Sequence, residues 1–191
     1  NFKDCVRTIG VRPVFLKGAG YTLSNCGAAT GRIYSDIDIL VSKENIEQGE
    51  KVLAIHGWLR QEISDYDEQY YRNWAHEIPP LVHGERGTIL DVHHNLVPIV
   101  SGKSLNMDAL MQYCLCSVGE VDVFTPAGQF FHSAIHLFFN DDVSSAYRDL
   151  NDLYLLIHFH EQSIGDELPK LVEQFGFERE IHLALHYLGK W

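Results

Sequence analysis

The sequence has no apolar run approaching the roughly twenty residues that a bilayer-spanning helix requires. Its start, Asn1 to Gly10, carries Lys3, Asp4 and Arg7 where a secretory leader would have an apolar centre. Cysteine is scarce: Cys5, Cys26, Cys114 and Cys116 are too few and too irregular to frame a secreted disulfide scaffold. A reducing, cytoplasmic setting is therefore expected. Positive charge is also short, with 15 Lys and Arg against 26 Asp and Glu, which gives 15 − 26 = −11 with neutral histidines. That surplus repels phosphate backbones and disfavours general nucleic-acid binding, but it leaves room for a site that holds cations. No internal repeat or low-complexity segment occurs. The chain begins at Asn1 rather than at a methionine, and an upstream continuation of its first element is expected.

What is present, 191 residues of which 46% are hydrophobic, suffices for the core of one domain or a small two-part body and excludes disorder. The pattern predicts a helix over 2–9 stopped by Gly10 and Pro13, then a strand Val14-Phe15-Leu16. A glycine turn, Lys17-Gly18-Ala19-Gly20, leads to a helix from Tyr21 to Cys26 that Gly27 ends. Asp36 to Val41 read as a strand, and Ser42 or Lys43 to His56 as a helix closed by Gly57. Residues 58–96 alternate in short aromatic runs that predict several antiparallel strands, with Thr88 to His93 the best defined. Cys114 to Thr125 predict a hairpin around Gly119. After Pro126 the periodicity is helical to the end. The expected fold class is α/β (α+β): a mixed sheet with flanking helices over 1–125, followed by a helical part over 126–191.

The chemistry concentrates in Ser35-Asp36-Ile37-Asp38-Ile39-Leu40-Val41. Residues two apart in a strand share a face, so Asp36 and Asp38 stand side by side, about 7 Å apart at the backbone. Two carboxylates among apolar neighbours are costly unless something neutralises them. A hard divalent cation such as Mg²⁺ does so, and so do solvent or a Lys or Arg partner. Lys17-Gly18-Ala19-Gly20 at a strand-to-helix junction offers backbone amides and a point charge to a phosphate, or is simply a tight turn. Arg32 is placed to clamp triphosphate oxygens or to neutralise the aspartates.

Three segments in this order, Val14 to Ala19, Gly31 to Val41 and Leu90-Asp91-Val92-His93-His94-Asn95-Leu96, resemble the uncharacterised nucleotidyltransferase family of the polymerase-β-like superfamily. The resemblance continues through Phe124-Thr125-Pro126, Phe131 to Leu137 and Arg148 to Leu153. It implies a nucleotidyltransferase-like fold and a Mg²⁺-dependent transfer of an NMP group from an NTP, with ATP the expected donor. The acceptor would be a hydroxyl of a small molecule or protein, and pyrophosphate would leave. Asp36 and Asp38 match the carboxylate pair that binds two Mg²⁺ ions, with Mn²⁺ as a substitute. Asp91 matches the third carboxylate, which assists deprotonation of the acceptor. Lys17, Gly18, Arg32, Ser35 and Arg148 are implied around the nucleotide. Family members often have Gly-Ser where this chain has Gly18-Ala19, so the phosphate grip falls to backbone amides and cations.

Other signals read as structural. His93 shares a strand face with Asp91, but a lone histidine there is more often packed than ligating. Arg148 and Asp152 have the spacing of a helical ion pair, and that reading stands beside a role for Arg148 in covering the nucleotide. His132 and His136 lack the Glu of a zinc-protease helix and read as packing residues. Cys114-Leu115-Cys116 has the wrong spacing for a zinc knuckle. Gly102-Lys103-Ser104 is not a P-loop, because Val97 stands where its first glycine belongs. Two alternatives to the transferase remain: a non-catalytic nucleotide-binding or regulatory module, such as an antitoxin-like partner, and a metal-dependent phosphohydrolase.

Overall fold

Residues 12–140 and 143–189 are described by a computed structural model of the chain, and the helix expected over 2–9 lies outside them. Among the described residues the strands are β1 (Val14–Phe15), β2 (Asp36–Leu40), β3 (Trp58–Arg60), β4 (Leu81–His83), β5 (Ile89–His93), β6 (Leu115–Val118) and β7 (Val121–Phe124). They form one seven-stranded sheet in the order β3-β4-β5-β2-β1-β7-β6. β2 pairs parallel with β5 and β1 with β7, while the other pairs are antiparallel, so the sheet is mixed as expected. The hairpin expected over 114–125 is β6 and β7, with Gly119 at positive φ in its turn.

The helices are α1 (Lys17–Leu23), α2 (Ile46–Ile55), α3 (Asp65–Trp74), α4 (Met107–Cys114), α5 (Pro126–Phe139), α6 (Ala146–Phe175) and α7 (Glu178–Tyr187). α1 corrects the expected glycine turn: the helix begins at Lys17, and its glycines lie inside it. Gly20 shows why, since a Cβ there would stand 2.6 Å from the Phe15 carbonyl oxygen. These glycines let a helix fold back against the strand that precedes it. α2 starts later than expected, after a 3₁₀ turn at Lys43–Asn45. α3 replaces part of the strand-rich region. Its tyrosines and Trp74 suit a strand, but the Ser64 side chain caps the amide of Asp67, three acidic residues fill the first turn, and Glu68 pairs with Arg72 one turn on. Local capping outweighs β propensity here.

Two apolar layers fix the two sheet faces. Phe15, Ile39, Val41, Leu90, Val92 and Val123 pack in a cluster with Ile46 and Leu53 of α2. The opposite face contributes Val14, Leu40 and Phe124 to a larger cluster with Phe130, Phe131, Leu153, Leu156 and Ile181 from α5, α6 and α7. The helices after Thr125 thus share their core with β1 and α1. α5 is capped by the Thr125 hydroxyl, which accepts from the Gly128 amide, with Pro126 in its first turn. α6 runs 30 residues with one non-helical residue, His160, and ends at Gly176 with φ 81°.

Candidate active site

β2 and β5 run in parallel register, with Asp36 opposite Ile89, Asp38 opposite Asp91 and Leu40 opposite His93. Alternation therefore puts Asp36, Asp38, Asp91 and His93 on the sheet face that carries Leu40, beneath the C-terminal helices. Burial decreases backwards along β2: Leu40 is in the core, Asp38 is buried, and Asp36 is partly exposed. A cavity of about 360 Å³ opens where the apolar cover ends. Its wall includes Lys17, Asp36 and Asp91 from the sheet side, Tyr70, Tyr71, His76 and Glu77 from α3 and the segment after it, and His136 and Arg148 from α5 and α6.

The innermost charges are tightly paired. Lys17 Nζ donates to Asp38 Oδ1 at 2.7 Å, and His93 Nε2 lies 3.0 Å from the same oxygen. Lys17 opens α1 with φ 41°, in the left-handed region that non-glycine residues seldom occupy. Burial opposes charge on both partners, but the pairing prevails. Burial would lower the Lys17 ammonium, yet Asp38 holds it above the ordinary lysine value. Burial would raise Asp38, yet Lys17 and His93 hold it well below the usual carboxylate range.

Asp91 has no such support. Burial first, then the neighbouring Asp38 and Glu77 carboxylates, push it up to about 7, and its Oδ1 is buried without a hydrogen-bond partner. His76 is pushed down to about 3, chiefly by burial. His136 is lowered by burial and Lys17, although Asp149 lies 3.5 Å from its Nδ1. The carboxylate wall fits a hard divalent cation: the donors are oxygens, they share one strand-pair face, and one oxygen is orphaned. Asp38, with Oδ1 already occupied, would reach such an ion through its second oxygen.

The structure brings together Asp36, Asp38, Asp91, Lys17 and Arg148. Arg148 stands in the first turn of α6, half-exposed on the cavity wall, with Nε 3.4 Å from Asp149. Its expected helical partner, Asp152, is buried and pairs instead with Arg32. Arg32 also lies over the Tyr21 ring, 5.5 Å from its centre, and so ties the loop before β2 to α6 rather than facing the cavity. Gly18 is buried, and a Cβ there would come within 2.7 Å of the Tyr34 ring and 2.9 Å of Arg32 Nε, so it packs beneath these two side chains. Ser35 is exposed in the loop ahead of β2. Tyr70, Tyr71, His76, Glu77 and His136 carry no sequence motif and are assembled only by tertiary packing. His132 is buried, as a packing residue would be.

Residues 3–191 match the family model described as "Uncharacterised nucleotidyltransferase". No curated protein matches the chain. Among solved structures, the chain is similar to an antigenic nucleotidyltransferase-like protein from Paracoccidioides brasiliensis, at 13% identity and a TM-score of 0.46 over 97% of this chain and 88% of that one. No helix among the described residues is long and apolar enough to cross a membrane.

Proposed function

Because the chain belongs to the uncharacterised nucleotidyltransferase family, we propose that it moves an NMP group from an NTP, with ATP as donor, to a hydroxyl of a small molecule or protein and releases pyrophosphate. The observation that carries this reading is the register of β2 and β5, which gathers Asp36, Asp38 and Asp91 on one sheet face, with Asp36 and Asp91 lining a cavity large enough for a nucleotide.

Divalent cations held by these carboxylates would supply Lewis-acid stabilisation of the attacking and leaving oxygens. The remaining work falls to side chains. Asp91, with its buried and unpartnered Oδ1, is placed to receive the proton of the acceptor hydroxyl. Lys17 fixes Asp38 in position and keeps it ionised at neutral pH. Arg148, on the opposite wall, is the cation available to phosphate oxygens, with its half-exposed guanidinium free to swing from Asp149. No side chain need act as a covalent nucleophile.

The test supplies each α-labelled NTP with Mg²⁺ and a cell extract split into small-molecule, RNA and protein fractions. Label should pass to the small-molecule or protein fraction and fall at least about a hundredfold in Asp36→Ala and Asp91→Asn, since each removes several kcal/mol of charge stabilisation. Full activity in both variants overturns the assignment. Nucleotide binding without any labelled acceptor favours a regulatory module instead, and free NMP without an acceptor favours a hydrolase.

A further inference from the structure

We propose that His76, Glu77 and His93 form a binding site for a borderline transition metal, Zn²⁺ by its donor chemistry, adjoining but distinct in its ligands from the carboxylate set of Asp36, Asp38 and Asp91. One ligand atom from each of the three residues lies within 4.8 Å of the others. The closest approach is His93 Nδ1 to Glu77 Oε2, at 3.3 Å. That is the edge of a tetrahedron whose centre-to-ligand bonds are roughly 2.0–2.1 Å, the length of Zn–N and Zn–O bonds. The two atoms do not form a hydrogen bond, and Nδ1 has no hydrogen-bond partner elsewhere.

The surrounding bonds orient these donors. Asp38 is an acceptor, so the His93 nitrogen facing it, Nε2, carries the proton, and Nδ1 presents its lone pair towards Glu77. A carboxylate behind a histidine in this way is the usual support of a metal-bound imidazole. His93 is 2% exposed, so water does not reach Nδ1 readily. His76 adds the second imidazole: its Nε2 lies 4.0 Å from the same Glu77 oxygen, and its Nδ1 is buried without a hydrogen-bond partner. The backbone holds all three in place: Ile78 N donates to Val92 O at 3.0 Å, His94 N donates to His76 O at 2.9 Å, and Glu77 forms an antiparallel bridge with His93 at the end of β5. A direct contact between His93 and Glu77 is the competing account, but it requires a hydrogen bond that the geometry lacks. Two imidazoles and one carboxylate select zinc over magnesium, and His76 and Glu77 line the cavity, so a fourth ligand position can open into it.

The site stands apart from the transferase reading and is tested without nucleotide. Metal-stripped protein is dialysed against Zn²⁺ in excess Mg²⁺, and bound zinc is measured by mass spectrometry, with Co²⁺ absorption as a spectroscopic check. Stoichiometric zinc that Mg²⁺ does not displace is expected. Its affinity should fall about tenfold or more in His76→Ala and in the near-isosteric Glu77→Gln, and should be retained in Asp36→Ala. Circular dichroism confirms that each variant folds, and Glu77→Gln alone decides the matter if His76→Ala does not. Zinc that Mg²⁺ displaces, zinc unaffected by the histidine and glutamate changes, or zinc lost equally in Asp36→Ala overturns the proposal. Tight zinc binding with no NMP transfer supports the metal site while the transferase reading fails; transfer with no zinc does the reverse.

Discussion

Asp38 and Asp91 stand directly opposite each other across β2 and β5, yet their carboxyls are driven in opposite directions, Asp38 far down by Lys17 and His93 and Asp91 up to about 7 by burial and by Asp38 itself. In the metal-free protein this pair makes two opposed contributions to the pH dependence of stability, beside those of the depressed histidines such as His76 and His136. Asp91 has a folded pKa above its unfolded value of about 3.9, so at this group the folded state binds more protons between about 4 and about 7, and its own contribution to stability falls as pH rises through that window. Asp38 has a depressed folded pKa, so its contribution is present above about 4 and is lost as pH falls below it. Asp91→Asn should therefore raise Tm over the wild type by a margin that grows from little at pH ~4 to its full size at pH ~8. Added Mg²⁺ should stabilise the wild type more at the higher pH. Thermal melts across pH check both, and a variant effect independent of pH would rule the coupling out.

Lys17→Met removes one partner from a buried ion pair and leaves Asp38 supported by His93 alone. A cost of about 3–5 kcal/mol is expected in urea unfolding at neutral pH. Adding Asp38→Asn should recover part of it, because the stranded charge is then gone. A loss under about 1 kcal/mol would place the pair in the class of solvent-screened surface bridges.

The two arginines should separate cleanly. Arg32→Ala strands the buried Asp152 and should lower stability while the folded fraction binds nucleotide normally. Arg148→Ala should change stability by less than about 0.5 kcal/mol and weaken nucleotide binding about tenfold or more, the weight of a charge-assisted hydrogen bond. Fluorescent-nucleotide titrations beside melts read both quantities. The reverse pattern would return the phosphate clamp to Arg32.

Gly20→Ala should destabilise by about 1–3 kcal/mol, since the new methyl meets backbone rather than a movable side chain. Nucleotide affinity per folded molecule should be unchanged. An affinity loss without a stability loss would mean that the glycine segment faces ligand rather than β1.

The carboxylates were legible in the sequence because strand alternation is a local rule. The spacing of Asp36 and Asp38 within apolar residues fixes their common face, and Asp91 lies on an equally regular strand. The partners of charged residues were not legible. Arg32 and Asp152 are 120 residues apart, and nothing local distinguishes that pair from the helical spacing of Arg148 and Asp152. α3 was obscured by its tyrosines, whose β propensity masks a well-capped helix. The glycines after β1 read as a turn because the sequence shows conformational freedom more readily than close packing. His76 and Glu77 join the cavity only through the short bridge to the end of β5, which no periodicity announces.

The lateral register of β2 on β5 also bears on the lifetime of the molecule. Asp38 and His93 meet across 55 residues of chain, so closing this part of the sheet carries a large loop-closure cost before any side chain at the site is placed. A cation that needs carboxylate oxygens set to within tenths of an ångström gains nothing from a loosely formed nucleus and acts on the finished packing alone. Its grip should appear in the unfolding limb of a chevron and leave the folding limb almost unmoved. The bound ion would then be a brake on unfolding, lengthening the time each chain stays folded without hastening its arrival there.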